Sequence, residues 1–179
     1  MAAPSRDALA RAARVRLLVL DVDGVLTDGR VIYDSRGVET KLFDVQDGHG
    51  LKLLQRSGVE VCWLSGRGSQ AKLVRAQELG ISELREDCKV KLPVLEEMLG
   101  ARGVAAEHAA YMGDDLVDLP PMRRVGLALA PANAVAQVKE AAHWVVPRPG
   151  GRGAVRRACE LLLAATGGWE QVTARYYQD

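Results

Sequence analysis

The 179-residue sequence has few cysteines and few aromatic residues, no excess of either charge, and no long apolar run. Its three cysteines, Cys62, Cys88 and Cys159, lie in no Cys-x-x-Cys or Cys/His cluster, which argues against a disulfide framework and a structural zinc site. A net charge of +1 provides no basic field to recruit nucleic acid. The apolar run Leu17–Leu20 leads straight into Asp21 and is too short for a signal peptide or a membrane span. These absences predict a cytoplasmic globular protein with no nucleic-acid or membrane partner.

Short apolar runs alternate with amphipathic stretches along the chain. The runs are typical of strands buried on both faces and occupy residues 17–20, 59–64, 109–112, 126–129 and 144–146. Helical patterns follow near residues 50–56, 70–79, 92–101, 116–123, 134–141 and 154–165. Residues 30–33 and 38–43 are β-rich around a turn and predict a hairpin. The pattern predicts an α/β fold, a Rossmann-like doubly wound parallel sheet with a small hairpin insertion and no cap domain.

The length and the absence of a linker predict a single domain over residues 1–179. We expect its core at about 16–163, the hairpin at 30–43 and a C-terminal tail at 166–179. The Met1 to Arg14 stretch is rich in Ala and Arg and carries no secretory signal pattern.

Three predicted strands end in residues that suit phosphoryl transfer. The first ends in Asp21-Val22-Asp23-Gly24, the second in Ser65-Gly66-Arg67 and the third in Gly113-Asp114-Asp115. Ligands gather at the carboxyl ends of the strands in open α/β sheets, so these side chains should meet. The carboxylates suit a hard cation, the hydroxyl suits a phosphate oxygen, and the arginine suits an anionic substrate.

Each candidate has a role that phosphoryl transfer requires. Asp21 can act both as nucleophile and as metal ligand, and Asp23 can protonate the departing alkoxide. Lys91 can offset the repulsion between a carboxylate and a phosphate, with Lys89 as the alternative lysine. Asp114 adds a metal carboxylate, and Asp118, one helical turn further on, can support it from behind.

With these residues in place, the chain resembles the haloacid dehalogenase-like phosphohydrolases. Their four motifs match DVDGVLTDG from Asp21, Ser65, Lys91, and GDDLVD containing Asp114. The resemblance implies that Mg²⁺ binds the side chains of Asp21 and Asp114 and the carbonyl of Asp23. It also implies that Asp21 is phosphorylated and that Asp23 serves as acid and then as base.

Further motifs resemble those of capless sugar-acid phosphatases within this superfamily. They are KLFDVQDGHG at residues 41–50, the Arg67 and Arg75 pair, and GGRGAVR at residues 150–156. The implied substrate is 3-deoxy-D-manno-octulosonate 8-phosphate, of lipopolysaccharide biosynthesis. The implied substrate contacts are Asp23, Asp44, Val45, Gln46, Asp47, Gly48, Lys52, Arg67, Arg75 and Lys91.

In this capless group the missing lid implies a homotetramer with active sites at subunit interfaces. The segment around Arg152 would then either reach a neighbouring active site or form an exposed loop before the last helix. His49 is interpreted as a residue near the site at a helix start, with a general-base role as the alternative.

Three other functions remain open from the sequence. A nine-carbon substrate, 2-keto-3-deoxynononate 9-phosphate, is the nearest alternative, although relatives with that preference tend to carry Glu where this chain has Arg67. A non-catalytic oligomerisation module is disfavoured because Asp21, Asp23, Lys91 and Asp114 are all present. A receiver-type signalling domain is disfavoured because its phosphoacceptor lies on the third strand, whereas the acidic pair here follows the first.

Overall fold

A six-stranded parallel sheet forms the centre of the molecule, in the strand order β5-β4-β1-β6-β7-β8. The computed structural model describes residues 3–178, so Met1, Ala2 and Asp179, at the ends of the predicted domain and tail, lie outside the described residues. The strands are β1 Leu17–Leu20, β2 Ile32–Tyr33, β3 Glu39–Thr40, β4 Glu60–Leu64, β5 Glu83–Arg85, β6 Ala109–Met112, β7 Leu127–Ala130 and β8 Trp144–Val145. This architecture confirms the predicted doubly wound α/β class.

Helices cover both faces of the sheet. They are α1 Arg6–Ala12, α2 Val45–Arg56, α3 Gln70–Leu79, α4 Lys91–Arg102, α5 Leu119–Arg124, α6 Ala136–Ala141, α7 Ala154–Thr166 and α8 Trp169–Thr173. Residues of α1, α2, α3, α7 and α8 pack into one apolar core, and residues of α4, α5 and α6 into the other. The strands β1, β6 and β7 are buried at every position, as their uninterrupted apolar runs predict.

The short hairpin is also present, as a separate two-stranded sheet. Ile32 pairs with Thr40 and Tyr33 with Glu39 in antiparallel register. The strands are two residues long each, shorter than the predicted β-rich runs. No larger insertion interrupts residues 3–178, so the carboxyl ends of the strands have no lid domain over them.

Several element boundaries differ from those predicted. Helix α2 begins at Val45, where Asp44 caps its first turn, rather than near residue 50. The sequence does not indicate this earlier start, because Gly48 and Gly50 weaken the helical pattern. The predicted helix at 116–123 is a 3-10 turn, Leu116–Asp118, followed by α5. Two prolines, which are tolerated only in a first turn, force that α-helix to begin at Leu119.

One strand and two α-helices of the described residues were not predicted. Strand β5 has a single apolar residue, Leu84, between Glu83 and Arg85, so its sequence carries no strand signal. Helices α1 and α8 are short and lie outside the predicted core.

Within residues 3–178 no helix is both long enough and apolar enough to cross a bilayer.

Candidate active site

The carboxyl ends of β1, β4 and β6 meet at one edge of the sheet and place the predicted side chains around a common cleft. β1 pairs with β4 on one side and with β6 on the other, so Asp21, Ser65 and Asp114 become neighbours. The cleft has a volume of about 320 Å³. Its lining residues are Asp21, Asp23, Gly29, Val31, Gly66, Arg67, Lys91, Asp114, Asp115 and Val117.

Lys91 is the buried cation of the cleft. Its ammonium lies 2.8 Å from Asp21 and 2.7 Å from Asp118, and its side chain is 2% exposed. Burial alone would lower the pKa of Lys91, but the charges of the two carboxylates raise it above its ordinary value. Lys89, the alternative lysine, is exposed. The structure therefore places Lys91 where it can neutralise a phosphate next to Asp21.

Asp118 lies behind the cleft and orders the loop that carries Asp114. One of its oxygens accepts from Lys91 and from the Tyr111 hydroxyl, at 2.7 and 2.8 Å. The other oxygen accepts the backbone amides of Asp114 and Asp115, at 2.9 and 3.1 Å. Because its lone pairs are occupied and it is fully buried, Asp118 supports the site without facing the cleft.

Asp114 has the chemical features of a cation ligand. Carboxylate oxygens of Asp21, Asp114 and Asp118 all lie within 4.8 Å of one another. The buried Oδ1 of Asp114 has no hydrogen-bond partner among the described residues. Burial, followed by the charges of Asp21 and Asp118, raises the pKa of Asp114 well above its ordinary range. Three crowded carboxylates with an unpartnered oxygen fit a divalent cation held by oxygen ligands, as Mg²⁺ is.

Two glycines allow the loops around this site to approach each other. Gly24 has φ +96°, and a Cβ at this position would lie 2.0 Å from Asp114 Oδ2. Gly150, from the GGRGAVR motif, packs so closely that a Cβ would lie 1.9 Å from the Gly24 carbonyl oxygen. Asn133 joins the two loops by donating to that oxygen at 3.0 Å and accepting from the Gly150 amide at 2.6 Å. The motif thus braces the loop after Asp23, while Arg152 is exposed.

Asp23 is held by two lysines that sequence reasoning missed. Lys41 Nζ lies 2.5 Å from Asp23 Oδ1, and Lys72 Nζ lies 2.8 Å from Asp23 Oδ2. The two lysine side chains are 2% and 0% exposed. Burial raises the pKa of Asp23, but hydrogen bonds from the two ammonium groups outweigh it and bring the pKa below its ordinary value.

Arg67 forms the opposite wall of the cleft, and the predicted site residue Ser65 lies behind it rather than on its surface. Ser65 is fully buried, and its hydroxyl donates to the Arg67 carbonyl at 3.1 Å. The Arg67 guanidinium donates to the Tyr33 hydroxyl and to Glu39 of the hairpin, both at 3.1 Å. Because Glu39 also binds Lys41 at 3.2 Å, the hairpin connects the arginine to the lysines around Asp23.

The remaining predicted substrate contacts lie elsewhere on the chain. Among the described residues that line the cleft, none belongs to the 44–48 segment, and neither Lys52 nor Arg75 is among them. Asp44 caps α2 by accepting the Gln46 and Asp47 amides at 2.6 and 3.3 Å. Val45 is exposed on the first turn of this helix, and Gly48 lies against the Arg75 guanidinium.

Asp47 faces away from the cleft and caps a different helix. Its carboxylate accepts the amides of Gly153 and Arg156 at 3.2 and 2.6 Å, at the beginning of α7. His49, one turn along α2, has its Nε2 2.9 Å from the Tyr176 hydroxyl of the C-terminal tail. Asp47 and His49 thus join α2 to α7 and to the C-terminal tail.

The sequence contains a signal for one of the two missed lysines. Lys72 shares the buried face of α3 with Ala76 and Leu79, at the i, i+4, i+7 spacing of a core stripe. A lysine at a core position of an amphipathic helix needs a buried partner, so the pattern itself marks Lys72 as unusual. Lys41 has no comparable periodic signal, because it follows the hairpin in an irregular segment; only its place at the start of the KLFDVQDGHG motif marks it.

The chain was compared with known proteins. No family model matches it. It is 44% identical over 165 residues to the 3-deoxy-D-manno-octulosonate 8-phosphate phosphatase KdsC of Escherichia coli K12, covering 91% of this chain and 87% of that protein. The corresponding enzyme of Yersinia pestis is 42% identical over 159 residues, which are 89% of this chain and 85% of that protein.

Two solved structures are close in fold as well as in sequence. A probable phosphatase from Pseudomonas syringae has a TM-score of 0.96 and 44% identity, covering 98% of this chain and 99% of that one. A 3-deoxy-D-manno-octulosonate 8-phosphate phosphatase from Moraxella catarrhalis has a TM-score of 0.93 and 38% identity, covering 95% and 98%. The Moraxella structure is a complex with a magnesium ion, a phosphate ion and the sugar acid KDO.

Proposed function

Because the chain belongs to the 3-deoxy-D-manno-octulosonate 8-phosphate phosphatases of the haloacid dehalogenase-like superfamily, we propose that it hydrolyses this phosphate to the free sugar acid and inorganic phosphate. The observation that carries the proposal is the cleft in which Asp21, Lys91 and Asp114 meet. A nucleophilic carboxylate, a buried cation and a metal-binding carboxylate are the groups that a metal-dependent phosphomonoester hydrolase requires.

Asp21 is the proposed nucleophile. Its carboxylate attacks the phosphorus, the bond from phosphorus to the sugar oxygen breaks, and an aspartyl-phosphate forms. Lys91, which already contacts Asp21, offsets the charge on the phosphate oxygens. The Ser65 hydroxyl joins it when its bond to the Arg67 carbonyl is exchanged for one to the phosphate. The proposed Mg²⁺ ligands are the side chains of Asp21 and Asp114 and the carbonyl of Asp23. When bound, the ion supplies positive charge that further offsets the repulsion between carboxylate and phosphate.

Asp23 is the proposed acid and base. It protonates the departing sugar oxygen, and it then takes a proton from the water that hydrolyses the aspartyl-phosphate. Its ion pairs with Lys41 and Lys72 favour the ionised form, which is the form that acts as base. The phosphate of a substrate adds negative charge beside Asp23 and favours the protonated form, which the first step needs.

We propose that the substrate residues act as two groups on two chains. Asp23, Arg67 and Lys91 line the cleft. Residues 44–48 form the start of α2, Arg75 packs against Gly48, and Lys52 lies one turn beyond Gly48 on the same helix. A homotetramer in which one chain's cleft faces another chain's α2 would bring both groups to one substrate. The exposed apolar side chains around the hairpin support such an interface; they are Val31, Ile32, Tyr33, Val38, Leu42 and Val45.

The proposed setting is the cytoplasm, in lipopolysaccharide biosynthesis. The three cysteines are free thiols, which is the usual state in a reducing compartment. Release of the free sugar acid is the step by which this enzyme family belongs to lipopolysaccharide biosynthesis.

The test is phosphate release from 3-deoxy-D-manno-octulosonate 8-phosphate, from its nine-carbon analogue and from neutral sugar phosphates, with Mg²⁺ or with EDTA. We expect selective, Mg²⁺-dependent release from the eight-carbon substrate, and at least a ~10³-fold loss in Asp21→Asn. Asp7→Asn, at an exposed ion pair on α1, is the matched control and should keep full activity. Preference for the nine-carbon compound would replace the proposed substrate, and full activity in Asp21→Asn would refute the mechanism.

A further inference from the structure

Lys72 is a fully buried ammonium whose contacts all lie within the active site. Its Nζ lies 2.8 Å from Asp23 Oδ2, 2.6 Å from Ser65 Oγ and 2.6 Å from the Arg67 carbonyl oxygen. A lysine ammonium has three donors, so these three acceptors satisfy it completely. It is 0% exposed and is not among the described residues that line the cleft, so it has no direct access to a substrate.

Stability alone does not explain a lysine in this position. Removing an ammonium from water costs several kcal/mol, and a well-packed apolar side chain of similar size is often as stabilising as the buried ion pair it replaces. The neighbours of Lys72 on its helix face, Ala76 and Leu79, are apolar, so methionine would suit the same stripe. A role in the arrangement of the active site accounts for the charged residue.

The three contacts differ in what they fix. Ser65 and Arg67 lie at the end of β4 and are already joined to each other by the bonds between Ser65 Oγ and the Arg67 main chain. They hold the ammonium in place from the sheet. Asp23, by contrast, follows the end of β1 in a loop, and its side chain is 26% exposed toward the cleft. The lysine therefore connects a carboxylate on a loop to the end of a central strand.

Lys41, the second partner of Asp23, is held differently. It follows the hairpin and also binds Glu39 of β3, so its position depends on the hairpin. Lys72 belongs to the ten-residue helix α3 and is the partner of Asp23 that the core fixes. Each oxygen of the Asp23 carboxylate keeps a further lone pair after these bonds, so the group can still accept a proton from a water molecule.

We propose that Lys72 is a positioning residue that holds the Asp23 carboxylate where it removes a proton from the water that hydrolyses the aspartyl-phosphate. In that step the water oxygen bonds to phosphorus, the water proton passes to Asp23, and the bond from phosphorus to Asp21 breaks with its electron pair on the Asp21 carboxylate. The proposal rests on the proposed function. It concerns the second half of the reaction, for which no departing sugar has to be protonated.

The test separates the two halves of the reaction in Lys72→Met. With p-nitrophenyl phosphate and saturating Mg²⁺, p-nitrophenolate leaves without a proton, so its single-turnover release reports formation of the phosphoenzyme alone. We expect this release to stay within about threefold of wild type, while steady-state phosphate release falls at least about tenfold and KM changes little. Intact-protein mass spectrometry after an acid quench should show that the phosphorylated form accumulates. Lys139→Met, on α6, is the matched control and should behave as wild type.

A second comparison does not depend on how well the single variant folds. Asp23→Asn with Lys72→Met removes both members of the ion pair, so it leaves no buried charge unpaired. If Lys72 acts through Asp23, this double variant turns over within about threefold of Asp23→Asn alone. A much larger loss in the double variant, or equal losses in both halves of the reaction in Lys72→Met, would overturn the proposal. Absence of any turnover by the wild-type protein would instead overturn the proposed function.

Discussion

Asp114, a proposed metal ligand, is buried among like charges, which disfavours the folded state. Its buried Oδ1 has no partner among the described residues, and Asp21 and Asp118 place two further carboxylates nearby. Burial and these like charges raise the pKa of Asp114, which means that its ionised form is disfavoured in the folded protein. A divalent cation bound at the proposed site would relieve this repulsion and would couple metal binding to folding at this residue.

We predict that Asp114→Asn removes the stabilisation that Mg²⁺ provides. In urea unfolding, the wild-type free energy of unfolding should rise by about 2 to 3 kcal/mol at Mg²⁺ concentrations near a hundred times Kd. The variant should show a rise of less than about 0.5 kcal/mol, because it has lost one of the two carboxylate ligands. Asp7→Asn should respond to Mg²⁺ as wild type does, and an unchanged response in Asp114→Asn would remove Asp114 from the ligand set.

One buried side chain, Asp47, links the beginning of helix α2 to the beginning of helix α7. Helix α7 begins after Gly153, which has no side chain to cap it, and the Asp47 carboxylate of α2 accepts its first amides instead. Burial raises the pKa of Asp47 to about 6, although the hydrogen bonds from the Arg156 and Gly153 amides act in the opposite direction. The folded protein therefore holds the Asp47 proton more tightly than the unfolded chain does.

This shift predicts a pH-dependent contribution to stability. The contribution is complete below the ordinary pKa of 3.8, is lost as the pH rises through about 6, and is constant at higher pH. Asp47→Asn lacks this titration. Between pH 4 and pH 7 the wild-type protein should therefore lose up to about 3 kcal/mol of unfolding free energy relative to the variant. Urea unfolding of both proteins at several pH values measures it, and a difference that is independent of pH would contradict it.

The loop before α7 supports the loop after Asp23 by close backbone contact. We predict that Gly150→Ala lowers the free energy of unfolding by about 2 kcal/mol or more, because its Cβ would overlap the Gly24 carbonyl. Phosphatase activity should fall as well, since Gly24 contacts Asp114. Gly100→Ala is the matched control: it lies within α4 with open space around it, and it should raise stability by about 0.5 to 1 kcal/mol. Equal stability of the two variants would show that the loop contact is unimportant.

The whole molecule has an uneven distribution of exposed apolar side chains. Tyr33, Val38 and Leu42 are 59%, 54% and 67% exposed, and all lie on or beside the hairpin. A monomer would leave these side chains in water next to its active site, whereas an oligomer would bury them. The proposed tetramer would also bring the start of α2 to a neighbouring cleft.

We predict that the protein sediments as a particle of four 19.3 kDa chains in analytical ultracentrifugation. Substituting both Val38 and Leu42 by Asp should shift it to smaller species and raise KM for the sugar-acid phosphate, because the residues around α2 would no longer reach the substrate. Leu9→Asp, an exposed apolar position on α1, is the control and should leave the assembly intact. A wild-type monomer with full activity would refute the shared active site.

The sequence by itself determined the class of fold and the identity of the principal carboxylates. Each buried strand is a continuous apolar run, and acidic residues follow two of these runs. Short-range patterns therefore indicate both the fold class and the carboxylates. Parallel strands then place those residues at one edge without further information. Lys91 follows no apolar run, and the sequence left Lys89 as the alternative; the bonds of Lys91 to Asp21 and Asp118 decide between the two lysines.

Only the tertiary structure decided which residues surround those carboxylates. Asp23 and Lys72 are 49 positions apart, and their contact depends on how α3 packs against the sheet. The capping of α7 by Asp47 depends in the same way on the packing of two helices 106 positions apart in sequence. Strand β5 has no apolar run of its own, and its pairing with β4 defines it. Local patterns report burial and periodicity, whereas contacts between distant side chains follow from packing, which no single stretch of sequence contains.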